Sequence, residues 1–288
     1  MEGDLTVTDH PTLGDFILGF EGLGIMRSWT LDPAGVKARV RGIVEMTYRL
    51  DEEPWSSPVV VGERTVTDGY AEWAAVYDAP NNPVLLAEEP VVYEMVARYP
   101  VGDALDAACG TGRHAEHLAA AGHRVVGVDA TPEMLEQAST KVPAARFETG
   151  DLTALPLPDG AVDLAVCSFA LTHCADLGPP VSELARVVRP GGHVVISDAH
   201  PFSVILGAQA RYRPVDAERG FIRNHVHLAS DYLAAFQAAG LDVVRCVEPL
   251  WGEQEIATFE FAQDFPDMLD AAVKGLPIVV VWELEKRA

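Results

Sequence analysis

Leu105-Asp106-Ala107-Ala108-Cys109-Gly110-Thr111-Gly112-Arg113 sets a short apolar run, an acid, two glycines and the start of a helical pattern in immediate succession. A strand that turns into a helix through glycines lets backbone N–H groups approach a ligand that a side chain at either glycine would block. The turn alone leaves the ligand open. Gly110-Thr111-Gly112-Arg113-His114-Ala115 also satisfies the dinucleotide fingerprint G-x-G-x-x-A.

Outward from this turn, short β-branched apolar runs alternate with helical patterns from about Arg98 onward, which predicts an α/β fold with a mostly parallel sheet. Strands are expected at 103–108, 124–129, 144–149, 162–168, 192–198, 241–249 and 277–284, and helices at 112–121, 131–141, 179–188 and 228–239. Gly122, Gly191-Gly192 and Gly240 punctuate the ends of three of these helices. The first hundred residues differ. Apolar periodicity at 12–27 and 33–50 is followed by the break Pro54-Trp55-Ser56-Ser57-Pro58, a β-like run Val59-Val60-Val61, and a helix over 84–98. The expected division is an N-terminal, mainly helical cap and lid over 1–98 and a catalytic domain over 99–288. Segments 200–227 and 252–276 exceed a minimal α/β core. Loops after parallel strands emerge at the carboxyl edge, where open sheets bind ligands, so 200–227 is assigned to the substrate pocket.

The bulk numbers narrow the partners. With 288 residues, 43 acidic against 21 basic side chains and a formal charge of -22, the chain repels polyanions. Nucleic acid and anionic membrane surfaces are therefore poor partners, and a small neutral or cationic molecule fits better. Cys109, Cys167, Cys174 and Cys246 show no CxxC pairing, so neither a disulfide framework nor a metal site is indicated. Met1-Glu2-Gly3-Asp4 carries no basic leader and no apolar run is long enough to span a bilayer, which reads as a cytoplasmic protein.

Further acids follow the glycine turn. The next strand, Arg124-Val125-Val126-Gly127-Val128-Asp129, ends in a carboxylate suited to accept from two ribose hydroxyls, as both nicotinamide and adenosyl cofactors require. Phe147-Glu148-Thr149-Gly150-Asp151-Leu152 puts another acid at the end of a third strand, where it could accept from an adenine amino group. Leu155 to Phe169 then supplies a turn and a buried strand opening onto the same edge.

At this point the stretch from Tyr70 to about His200 resembles the small-molecule class I S-adenosylmethionine-dependent methyltransferases. Four motifs in order carry the resemblance: DAACGTGR, VVGVDATPEML, ARFETGDLTALPLPDGAVDLAVCSFALTHC and ELARVVRPGGHVVIS. It implies a Rossmann-like, seven-stranded sheet with helices on both faces and an antiparallel last strand. It also implies S-adenosylmethionine as cofactor and S-adenosylhomocysteine as product. By position, Asp106, Ala108, Gly110, Gly112 and Arg113 would surround the methionine part, and Asp129 would hold the ribose. Ala130 and Met134 would flank the adenine, Asp151 and Leu152 would face its edge, and Ser168 and Phe169 would close the site near the sulfonium. Ala108 departs from the family's usual glycine. Tyr70, Trp73 and Tyr77 resemble an aromatic lead-in over the cofactor, where a ring face gains cation–π stabilisation from a sulfonium. An i, i+3, i+7 core stripe explains them equally well.

Methyl transfer from a sulfonium is an in-line displacement with an activated leaving group, so alignment and exclusion of water matter most and a base is optional. If the acceptor is a phenol or hydroxyl, a histidine suits the proton. His173, His200 and His225 are the candidates, and Asp198, on the same strand end as His200, could orient that histidine or bind a cationic acceptor. His225 and His227 alternate as same-face residues would, but no third ligand accompanies them and no metal is expected. The reading is methyl transfer to the O, N or C nucleophile of a small molecule, a natural-product intermediate being one such acceptor. The alternatives are a non-methyl-transfer reaction on the same cofactor fold, such as a cyclisation or rearrangement, and an NAD(P)-dependent oxidoreductase. None of the tyrosines has a lysine four positions on, and Ser168-Phe169-Ala170-Leu171 lacks the Pro-Pro turn of nucleic-acid methyltransferases. The cap's apolar face, Phe16, Ile17, Phe20, Leu23 and Ile25 to Met26, would line an acceptor pocket, form a homodimer seam or pack on the catalytic domain.

Overall fold

The computed structural model describes residues 10–59, 61–80, 82–213 and 219–288. In chain order the elements are α1 (Leu13–Ser28), α2 (Pro33–Thr47), β1 (Gly62–Arg64), α3 (Val66–Trp73), α4 (Pro83–Val96), β2 (Asp103–Ala107) and α5 (Arg113–Ala120). There follow β3 (Arg124–Asp129), α6 (Pro132–Lys141), β4 (Arg146–Thr149), β5 (Val162–Ser168), α7 (Gly178–Val187), β6 (Val188–Ala199) and α8 (Pro201–Ile205). The chain ends with β7 (Ala210–Tyr212), β8 (Gly220–Ile222), α9 (Ala229–Ala238), β9 (Leu241–Val247), α10 (Glu253–Ile256), α11 (Pro266–Ala272) and β10 (Val279–Lys286).

Seven strands form one sheet in the order β4-β3-β2-β5-β6-β10-β9. All neighbours run parallel except β10, which is antiparallel to both β6 and β9. From β2 the chain adds β3 and β4 on one side, then crosses back to place β5 and β6 on the other. This reversal opens a crevice at the carboxyl ends of β2 and β5, the place where open sheets take ligands.

The pleat sorts side chains to two helical layers. Leu105, Ala107, Val194 and Ile196 join a core with Leu184 of α7 and Tyr232 and Phe236 of α9. Their strand neighbours face the other way. Asp106 accepts from the Ala115 N–H of α5, Ser197 donates to Glu88 of α4, and Glu283 receives Arg98 and Tyr99 just beyond α4. Helices therefore cover both faces, as the resemblance implied.

A second, three-stranded sheet has the order β1-β8-β7, with β1 parallel and β7 antiparallel to β8. Arg223 clamps Glu63 beside it through two bonds of 2.7 and 2.8 Å. The strand falls on Gly62–Arg64, one step after the expected β-like run, of which Val60 lies outside the described residues.

The chain divides into two compact units, Met1–Val61 with Trp251–Leu276, and Gly62–Leu250 with Pro277–Ala288. This grouping differs from the division at 98/99. α4 packs on β6 and β10 of the sheet, so residues 62–98 group with it. Segment 251–276 groups instead with α1 and α2, where Ile256, Phe261, Met268 and Leu269 share a core with Ile17, Met46 and Trp55. Phe20 and Leu23 pack against that core, whereas Met26 is exposed. α1 begins with a capping box in which Thr12 and Asp15 satisfy each other's backbone N–H groups.

Leu184 is fully buried between α7 and the sheet. Leu184→Ala is expected to lower unfolding free energy by about 2–5 kcal/mol through lost transfer energy and a residual cavity. Leu233→Ala, at a 46% exposed site on α9, should change it by less than about 0.5 kcal/mol in the same urea titration.

Candidate functional site

The turn after β2 is held in an unusual backbone path. Ala108, Gly110 and Gly112 all have positive φ, at 54°, 52° and 82°. Gly112 is doubly constrained, since a Cβ there would lie 3.0 Å from the Ala138 Cβ and 3.1 Å from its Cα on α6. At Gly110 a Cβ would meet no protein atom within 4 Å, so that glycine serves conformation and close approach rather than packing. Ala108 bears a left-handed conformation that glycine would adopt without strain, the cost of the departure noted in the sequence.

Two carboxylates fix the turn. Asp129 Oδ2 accepts from the Gly110 N–H at 2.8 Å and Oδ1 from the Thr131 N–H at 2.8 Å. Burial raises the Asp129 carboxyl, and the bonds from Thr131 and Gly110 oppose this. Each oxygen keeps acceptor capacity, which suits a vicinal diol approaching the end of β3. Asp106 is buried on β2, and burial pushes it up to about 6 against His114 and the Ala115 N–H.

The remaining cofactor candidates divide. Ser168 ends β5 on the crevice, and Phe169 follows with φ of 52° while its N–H donates to the Ser197 carbonyl at 2.8 Å. Met134 is buried on α6 and Ala130 is exposed at the end of β3. Asp151 closes its own turn by accepting from the Thr153 N–H at 2.7 Å, and Leu152 packs against the main core. Tyr77 is pushed up to about 12 by burial. Its neighbour Asp78 accepts from Thr111 Oγ1 at 2.7 Å, tying the aromatic lead-in to the glycine turn. Trp73 stacks on Tyr70 at 5.8 Å and on Tyr212 of β7 at 5.3 Å.

The three histidines take different places. His173, in the turn after β5, directs Nδ1 to the Arg223 carbonyl at 2.8 Å and Nε2 to the Tyr70 hydroxyl at 2.8 Å. A carbonyl only accepts, so Nδ1 carries the proton and Nε2 receives the phenol. Burial lowers the His173 imidazole despite the Arg223 bond, which keeps it neutral at neutral pH. His200 caps α8 by accepting from the Phe202 N–H at 3.1 Å, and its Nε2 lies 3.0 Å from Glu248. His225 holds the Thr172 carbonyl by its N–H at 2.7 Å, while its side chain lines a cavity of about 550 Å³ with Leu177, His227 and Asp231. His227 Nε2 donates to the Cys174 carbonyl at 2.7 Å.

Sequence reading missed Glu88 and the partners of Asp198. Glu88 is fully buried on α4 and bonded to Arg113, His114, Ser168 and Ser197. Its signal was available, because it occupies the apolar stripe Leu85, Glu88, Val92, Met95, where an acid demands partners. Asp198, considered only as a support for His200 or a cationic acceptor, instead accepts from the Tyr232 hydroxyl at 2.8 Å and the Ala199 N–H at 3.1 Å. Burial pushes it up to about 7, with those bonds and the Thr172 N–H opposing.

Residues 105–196 match the methyltransferase-domain family. A malonyl-[acyl-carrier protein] O-methyltransferase of Yersinia pestis is 32% identical over 162 residues, which cover 56% of this chain and 60% of that protein. The chain thus spans about three fifths of the length of the curated relatives it matches. An S-adenosylmethionine dependent methyltransferase from Mesorhizobium loti shares the fold with a TM-score of 0.53 at 22% identity, over 69% of this chain and 98% of that one. The DhpI–SAH complex does so with a TM-score of 0.55 at 21% identity, over 77% and 95%. Residues 105–196 thus match a methyltransferase domain, and the fold is the one found in solved S-adenosylmethionine-dependent methyltransferases.

Asp198 makes stability pH-dependent in a definite direction. Its folded pKa of about 7 lies above the ordinary 3.8, so the cost of ionising it is absent below about pH 4 and grows until pH 7. Asp198→Asn cannot ionise. Its stability relative to wild type should therefore rise by about 2–4 kcal/mol between pH 4 and pH 7 and level off above, in denaturant titrations at each pH. A difference that stays flat with pH would refute the assignment.

Proposed function

We propose that this protein transfers a methyl group from S-adenosylmethionine to a nucleophilic oxygen, nitrogen or carbon of a small molecule. The observation that carries this reading is the Asp129 carboxylate bonded to the Gly110 N–H beside a glycine that leaves the approach open. The family match over 105–196 supports the transferase over the nicotinamide alternative that the glycine fingerprint alone allowed. S-adenosylmethionine, when bound, supplies a methyl group on a sulfonium, and S-adenosylhomocysteine is the product.

In this reading Asp129 accepts the ribose hydroxyls, while Asp106, Ala108, Gly110, Gly112 and Arg113 form the wall at the methionine end. Ala130, Met134, Asp151 and Leu152 border the adenine. Tyr70, Trp73 and Tyr77 exclude water from the reacting centre and present aromatic faces to positive charge. His173 is the favoured base of the three histidines. Its Nδ1 proton is fixed by the Arg223 carbonyl, so Nε2 is left to hold or accept a proton on the side of Tyr70. The cavity beside His225, to which 225–227 contribute from the 200–227 segment, is the proposed approach for the acceptor.

Two measurements test the reading. Calorimetric binding of S-adenosylhomocysteine should weaken by about 1.5–3 kcal/mol in Asp129→Ala, the worth of hydrogen bonds to a charged group. Absence of binding by the wild type would sink the proposal. With an acceptor in hand, His173→Gln should lower kcat about 10²–10⁴-fold for a hydroxyl acceptor. An unchanged kcat would assign His173 to orientation alone.

A further inference from the structure

Glu88 gathers more of the crevice than any residue named by the motifs. Its Oε1 accepts from Ser197 Oγ at 2.7 Å, Ser168 Oγ at 2.9 Å and His114 Nε2 at 3.0 Å, and its Oε2 accepts from Arg113 Nη1 at 2.7 Å. These donors come from the carboxyl halves of β5 and β6 and the first turn of α5, so one carboxylate on α4 ties together three elements that border the glycine turn. A buried carboxylate persists only with such compensation. Burial alone would raise the Glu88 carboxyl, but His114 and Arg113 outweigh it, with the bonds from His114 and Ser197, and hold it well below the usual carboxylate range.

Two of the four donors stand at the ligand side. Ser168 terminates β5, and Arg113 follows Gly112 directly. Arg113 is long and flexible, and its Nη1 is shared between Glu88 and Glu89, the latter at 3.3 Å. An arginine fork pinned along one edge loses less freedom when its other donors meet an anion. We infer that Glu88 is the positioning residue of the cofactor site, setting Arg113 and Ser168 before the ligand arrives without touching it. The inference rests on the S-adenosylmethionine reading above.

Calorimetry with S-adenosylhomocysteine, which needs no acceptor, tests it on the full chain at a temperature where every variant is folded by circular dichroism. Glu88→Gln, which removes the charge facing Arg113, should raise Kd at least about tenfold. Glu88→Asp keeps the charge but withdraws it by one methylene, and should raise Kd by about three- to tenfold. Leu184→Ala, destabilised without touching this network, should bind within twofold of wild type, so that loss of stability and loss of positioning separate. If Glu88→Gln fails to fold, Glu88→Asp decides. Binding of the folded Glu88 variants within twofold of wild type overturns the positioning role and leaves the cofactor reading intact. Failure of the wild type to bind overturns both.

Discussion

The backbone path from Ala108 to Gly112 is the constraint on which the site depends. Three of its five residues are left-handed, which no helix or strand would supply. It is held from outside: the Cys109 N–H reaches the Val128 carbonyl, the Gly110 N–H reaches Asp129, and the Ala115 N–H reaches Asp106. β3 and the start of α5 thus dictate the shape of the turn after β2. α6 sets its depth, since a Cβ at Gly112 would crowd Ala138 at 3.0 Å.

Charge around this turn is unbalanced by design of the strand ends. Asp106 and Asp129 are raised by burial, and Glu88 is the one acid there held down, by His114 and Arg113. A crevice with acids in excess disfavours polyanions and favours a ligand that brings a positive centre, in line with the chain's formal charge of -22. Low local dielectric strengthens this preference relative to the same groups on a wet surface.

How much was legible in the sequence follows from where each constraint is encoded. The glycine turn, the acid at the end of β3 and the order of strands were readable because backbone conformation and hydrophobic period are local properties. The start of β6 at Val188 rather than 192 was not. There the chain runs Arg189-Pro190-Gly191-Gly192 against β5 through an irregular register, and Gly192 sits where a Cβ would lie 2.6 Å from the Asp163 carbonyl. The strand at Gly62–Arg64 has poor intrinsic β character and exists because β8 pairs with it, a tertiary fact. The grouping of 251–276 with α1 and α2 joins segments some two hundred residues apart, which no local pattern records. Glu88 was hidden for a different reason. One acid among Leu85, Val92 and Met95 leaves the apolar period of the helix over 84–98 intact, and its partners come from β5, β6 and α5, far along the chain.

The side proposed for the acceptor is built differently from the side proposed for the cofactor. His225 N–H to Thr172, His173 to Arg223 and His227 to Cys174 lace segment 223–227 to the turn after β5, and Tyr70 joins through His173. Each such bond nets only about 0.5–1.5 kcal/mol, and the segment contributes little to the main core. Opening it therefore costs far less than opening the sheet, whose central strands β2, β5 and β10 are buried along most of their length. On the proposed reading, a rigid turn for the cofactor and a loosely laced wall for the acceptor are compatible because they meet at few residues, Tyr70 and His173 foremost. In the proposed reading, the Arg223 carbonyl favours the His173 Nδ1–H tautomer while this segment is in place, which couples the acceptor capacity of Nε2 to the lacing.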